Sequence, residues 1–103
     1  MAIEMEMSIR AIRIAADANG FVVLPLYGGL RTFARRHSIP LRYAPSCPPL
    51  FKQYWPSILW VELTLSDRGS PVSICFDMHD SGSLYSIERL ERCDVYFKRS
   101  FTQ

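Results

Sequence analysis

Apolar residues fall along this chain in short runs separated by clusters of Gly, Pro, Ser and Asp. The first run, IRAIRIA (Ile9–Ala15), admits two periods. Ile12 and Ile14 alternate around Arg13, as in a strand. Ile9, Ile12 and Ala16 also share a helical face that Asn19-Gly20 would end. The strand reading is preferred, with Phe21–Tyr27 as a loop or second extended piece; under the helical reading the first strand moves to Phe21–Leu26. From Gly29 the period is helical, with Leu30, Phe33 and Ala34 on one side and Arg31, Arg35 and Arg36 on the other. Pro40 forbids continuation, and Leu41 and Tyr43 then alternate with Arg42 as a short strand does.

The segment APSCPPLFKQYWP holds four of the seven prolines and reads as a connection. SILWVELTL reads as a strand interrupted by a single charge, Glu62. SDRGSP is a turn by composition. PVSICFDM is continuously apolar from Val72 to Phe76, which predicts a strand buried on both faces. After the loop HDSGS, Ser83 or Ser86 is placed to cap a helix through LYSIERLERC, with Leu84, Ile87 and Leu90 marking its turns. DVYF is a last strand. Strand, helix and strand in this order form a βαβ unit with a right-handed crossover. The expected class is therefore α/β: a single domain over residues 1–103 with a small, mostly parallel sheet and flanking helices, Rossmann-like and incomplete.

Composition narrows the function classes. With 49% hydrophobic and 21% charged residues the chain has material for a core. A net charge of +2 is too small to argue for nucleic acid, and the scattered aromatics do not suggest stacking on bases. Cys47, Cys75 and Cys93 are odd in number and widely spaced, which suits reduced thiols in a cytoplasmic protein rather than disulfides or a zinc site. The N-terminus lacks the pattern of a signal peptide, and GFVVLPLYGGL is too short to span a bilayer. A membrane-surface role is compatible with the sequence but not indicated by it.

In an open parallel α/β sheet, ligands bind beyond the carboxyl ends of the strands. The segments expected there are Asp17–Gly20, Tyr27-Gly28-Gly29, FDMHDSG and the Lys98-Arg99-Ser100 tail. Gly28 and Gly29 would let backbone approach a ligand ahead of a helix N-terminus, although the same pair also reads as a plain turn and matches no phosphate-loop motif. Asp77, His79 and Asp80 could offer acid–base chemistry or a divalent site; Asp77 and Asp80 serve equally well as turn caps, and one short cluster supplies too few ligands to hold a metal. Arg31, Arg35 and Arg36 suit a solvated helix face. Lys98 and Arg99 could meet an anion or simply end the strand. No cofactor motif is present.

The stretch FDMHDSGSLYSIERLERCDVYFKRSF resembles a segment of bacterial glycosyltransferases of the two-Rossmann-domain (GT-B) type. There, an Asp-rich strand end is followed by a helix and a strand reading D-x-Y-F-K-R. The matching residues are Asp77, His79 and Asp80, then Asp94, Tyr96, Phe97, Lys98 and Arg99. The first strand, Tyr27-Gly28-Gly29 and the helix from Leu30 look more loosely like the first loop of such N-terminal domains. The resemblance implies an acceptor- or anion-binding N-terminal domain, not catalytic alone, whose C-terminal partner domain binds the nucleotide sugar. It implies a sugar or phosphate-bearing acceptor, with Gly28, Gly29, Asp77, His79, Asp80, Lys98 and Arg99 as binding candidates. On this reading the chain ends where the rest of a larger sheet would continue, and its open edge invites a homodimer. Two other classes compete: a small protein-interaction module using Phe51, Tyr54 and Trp55, and a metal-dependent hydrolase using Asp77, His79 and Asp80.

Overall fold

The computed structural model describes residues 9–45, 51, 55–79 and 86–98. Strand β1 (Ile9–Ala15) leads through a short 3-10 turn (Phe21–Val23) into helix α1 (Leu24–Arg36) and strand β2 (Leu41–Ala44). Strands β3 (Ile58–Leu65) and β4 (Val72–Asp77) follow, then helix α2 (Ile87–Arg92) and strand β5 (Val95–Lys98). The five strands form one sheet in the order β2-β1-β3-β4-β5. β1·β2 and β4·β5 are parallel pairs, whereas β3 is antiparallel to both β1 and β4. Four strands thus run one way and the central strand runs against them. The sheet is mixed, and only half of its pairings are the parallel ones expected.

The registers place alternate residues in rows across the sheet. One face carries the row Tyr43–Ile14–Val61–Ile74–Val95 and, beside it, Leu59–Phe76–Phe97. Helix α1 and the 3-10 turn before it cover this face: Val23, Leu26, Tyr27, Leu30 and Ala34 pack around Ile12, Ile14, Leu59 and Val61. The opposite face carries Trp60–Cys75–Tyr96 and Ile58–Asp77–Lys98. Ala15, Ile58, Trp60 and Cys75 form its core, with Phe51, Trp55, Cys93 and Tyr96 packed against them. Helix α2 lies on this second face, where Arg89 stacks over the Phe51 ring at 4.4 Å. The β1–β2 and β4–β5 crossovers travel in opposite directions on opposite faces, so the two share one hand, as the strong handedness preference requires.

Three local expectations change. Helix α1 begins at Leu24, not after Gly29, because Pro25 is tolerated in the first turn, where its missing N–H has no helical partner. Gly28 and Gly29 therefore lie inside the helix rather than in a loop before it. The helix ends in a Schellman arrangement: Ser38 takes φ 56°, its N–H bonds Arg35 O, and the Ile39 N–H bonds Ala34 O at 2.8 Å. Strand β4 is not buried on both faces. Ser73, Cys75 and Asp77 are buried, while Val72, Ile74 and Phe76 are only half-buried, because α1 reaches across β1 and β3 but not to this edge. In α2, capped by Ser86, Ile87 and Leu90 point to solvent and Arg89 points inward. Ser83, the other candidate cap, lies outside the described residues.

Candidate functional site

The carboxyl ends of β1, β2, β4 and β5 meet the amino end of β3 along one edge. The loops there are tied together. The Gly20 N–H bonds Pro56 O at 2.8 Å and the Met78 N–H bonds Ser57 O at 2.9 Å. Gly20 sits so close that a Cβ would lie 2.8 Å from Ser57 Oγ and 2.9 Å from Pro56 O, so only glycine fits without a shift. From α1, the Tyr27 hydroxyl donates to Ala18 O. The Asp17–Gly20 loop, read from sequence as a ligand loop, is thus pinned to the start of β3, with Ala18 buried.

Asp77 is the centre of the edge. Its carboxylate is fully buried, and its oxygens accept from three groups. Oδ2 takes the Tyr96 hydroxyl. Oδ1 takes the His79 backbone N–H at 3.0 Å and Lys98 Nζ at 3.4 Å. Lys98 Nζ also donates to His79 O at 2.9 Å, and its side chain is only 11% exposed. The Tyr96 oxygen in turn accepts the Ser86 N–H at the start of α2. Burial, and then the bond to Asp77, push the Tyr96 phenol well above its ordinary pKa. Beside it, burial raises the Cys75 thiol to about 12. Cys75 and the half-buried Cys93 are both free thiols.

One residue earlier in period, Asp94 Oδ2 accepts the Ser73 N–H at 2.8 Å and the Ser73 hydroxyl at 3.2 Å. The bond from the Ser73 N–H holds the Asp94 carboxyl below its usual range. Asp94, Tyr96 and Lys98 project from the same side of β5 and fasten it to β4. The D-x-Y-x-K alternation therefore has a physical role: it is a set of side-chain clasps between two parallel strands.

Two ring nitrogens at this edge are left over. Trp55 and His79 meet edge-on with centroids 5.1 Å apart. Trp55 Nε1 and His79 Nδ1 are buried and have no hydrogen-bond partner among the described residues. A buried polar atom left unpaired costs about 1–3 kcal/mol, so such atoms mark places where a bound group has something to gain.

The sequence-derived candidates divide on these facts. The structure brings Asp77, His79 and Lys98 together. Gly28 and Gly29 do not join them; a Cβ at either glycine would meet nothing within 4 Å. Asp80 and Arg99 lie outside the described residues, as does Tyr54. Phe51 and Trp55 pack inward against Trp60 and Cys75 rather than forming an exposed aromatic patch. Among the described residues no group of three or more His, Cys, Asp or Glu side chains is set to hold a metal. Nor is any described helix long and apolar enough to cross a membrane. Sequence reasoning did not anticipate Trp55 beside His79 or the burial of Arg89, because each depends on segments far apart in the chain. No family model matches the chain, and no curated protein or solved structure matches it either.

Proposed function

We propose that this chain is a glycosyltransferase-like acceptor-binding domain, a reduced Rossmann-like sheet that binds a hydroxyl-rich or phosphate-bearing acceptor at its strand-end edge and does not turn over alone. The observation that carries the reading is the Trp55–His79 pair with its two unpartnered ring nitrogens. A hydroxyl both donates and accepts, so it suits an indole N–H and an imidazole nitrogen alike. Aromatic walls and a few oriented polar groups are what a small hydroxylated ligand needs. The edge is also where crossovers diverge in opposite directions, the position at which open α/β sheets bind ligands. Asp77 and Lys98 are turned toward each other, so they act as the floor that fixes the His79 backbone rather than as groups for chemistry. Both Asp77 oxygens are occupied, so that carboxylate is committed to joining β4 to β5.

The test is a titration with a panel of monosaccharides and glycerol phosphate, following the Trp55 indole N–H resonance and Trp fluorescence. Saturable movement of the Trp55 resonance, lost in His79→Ala, supports the reading. A panel that moves neither signal at millimolar concentration refutes it.

A second reading, a protein-interaction module, draws on strand β5. It is an edge strand whose Val95 and Phe97 are 39% and 53% exposed. Antiparallel pairing of two copies about Tyr96 sets Val95 opposite Phe97, apolar against apolar. That self-complementarity commits the occupant to a second copy of this chain.

A further inference from the structure

The second face of the sheet carries a row of polar residues that the strand-end edge does not use. Arg42 of β2 is the register partner of Arg13 in β1, Arg13 is the partner of Glu62 in β3, and Glu62 of Ser73 in β4. Two guanidinium groups side by side on neighbouring strands repel, an arrangement that is destabilising unless something compensates it. Glu62 compensates only one of them. Its Oε1 lies 3.5 Å from Arg13 Nη1, and its Oε2 accepts the Trp60 indole N–H at 3.3 Å. Both carboxylate oxygens are thereby engaged. Arg42 is exposed and makes no ion pair or hydrogen bond among the described residues.

The space in front of the pair is a cleft of about 430 Å³ bounded by Arg13, Arg42, Tyr43, Ala44 and Pro45. Helix α2 packs on β4, toward the other side of the sheet, so no described helix covers this end of the face. Ala44 and its register partner Ala15 keep the side chains next to the arginines short. An uncompensated cation, a second cation beside it and a cleft with a short-side-chain floor form a receptor for an anion with several oxygens. A guanidinium fork matches such oxygens two at a time.

We propose that Arg13 and Arg42 form a second ligand site, independent of the Trp55–His79 edge, that takes a phosphate-bearing anion, with diphosphate as the fitting class. The two guanidiniums bracket the anion, and Glu62 holds Arg13 in place through its remaining contact. Free diphosphate and the diphosphate of a nucleotide share this chemistry.

The experiment is a titration of the full chain with inorganic pyrophosphate, read by backbone and arginine side-chain NMR. Saturable shifts at Arg13, Arg42, Tyr43 and Ala44 are expected, weakening as salt rises. Arg42→Gln should lower the affinity roughly tenfold to a hundredfold, the range for losing hydrogen bonds to a charged group. Arg31→Gln, an exposed arginine on α1, should leave it unchanged. A parallel titration with a nucleoside diphosphate separates the two sources: tighter binding than pyrophosphate assigns the site to nucleotides, and equal binding assigns it to the bare anion. Arg42 has no partner to lose among the described residues, so the variant keeps the wild-type spectrum elsewhere, which checks folding. Absence of saturation at these residues, or equal weakening in Arg42→Gln and Arg31→Gln, overturns the proposal while leaving the response of the Trp55 indole to acceptors untouched.

Discussion

Replacing Lys98 by Met tests whether the Asp77 carboxylate depends on its buried cation. The substitution keeps the length and apolar stem of the side chain and removes only the charged head. Lys98 is 11% exposed and Asp77 fully buried, so screening by solvent is slight. Removing one partner of a buried ion pair costs about 3–5 kcal/mol, because the other charge stays behind. Two features lower that figure here. The Nζ–Oδ1 separation is a long 3.4 Å, and the carboxylate keeps the Tyr96 hydroxyl and the His79 N–H. Loss of the 2.9 Å bond to His79 O works the other way and adds about 1 kcal/mol. A net destabilisation of about 3 kcal/mol follows from these principles. In a chain this size that lowers the melting temperature by roughly 12–24 °C.

Urea unfolding followed by circular dichroism at pH 7 reads the difference directly. The companion variants are Asp77→Asn and the double Asp77→Asn/Lys98→Met. Coupled partners should make the double variant less destabilised than the sum of the singles, by about 1–3 kcal/mol. Exposed Arg31→Gln is the control. If Lys98→Met costs no more than that control, or the two single effects simply add, the buried-pair reasoning is wrong.

Other outcomes follow from the same geometry. Gly28→Ala and Gly29→Ala, together, should raise stability by about 1–2 kcal/mol, since both are helical, neither has positive φ, and an added Cβ meets nothing; no gain in urea unfolding would mean that the glycines lie elsewhere than in a helix. Gly20→Ala should cost about 1–3 kcal/mol in the same assay, because its Cβ would lie within 3 Å of Pro56 O and Ser57 Oγ. Cys75 has a folded pKa raised from 9.0 to about 12, so its contribution is intact below pH 9 and is lost as pH climbs toward 12; the fall should be shallower in Cys75→Val, by up to about 1.4 kcal/mol per pH unit. Phe97→Asp should abolish any dimer that gel filtration detects in the parent chain, and an unchanged dimer would exclude pairing through β5.

The strands and their order of appearance were legible from the sequence because each is a short apolar run bounded by turn residues. IRAIRIA resolved as β1 because Ile12 and Ile14 both face helix α1, which the two-residue period demands. The start of α1 was misread for a definite reason. Gly28-Gly29 carries the composition of a turn, but Pro25 fits the first turn of a helix and Leu26, Tyr27, Leu30 and Ala34 supply a buried stripe. The inward face of α2 was hidden because Arg89 is buried by Phe51, which belongs to a distant part of the chain. Asp77 and Lys98 were visible as candidates at the ends of strands. Their mutual contact was not, since it requires the β4·β5 register that sets one opposite the other.

That register also separates structural polarity from polarity left over for function. On the second face of the sheet most polar side chains answer one another: Asp94 answers Ser73, Tyr96 and Lys98 answer Asp77, and Glu62 answers Arg13 and Trp60. The Asp77 and Glu62 carboxylates are committed in this way and give a ligand little to gain. The indole nitrogen of Trp55, Nδ1 of His79 and the guanidinium of Arg42 stand outside this set among the described residues. The first two want a hydroxyl and the third wants an anion, and they lie three strands apart on one sheet. Binding of an unphosphorylated sugar should therefore depend on His79 and not on Arg42, while binding of pyrophosphate should depend on Arg42 and not on His79.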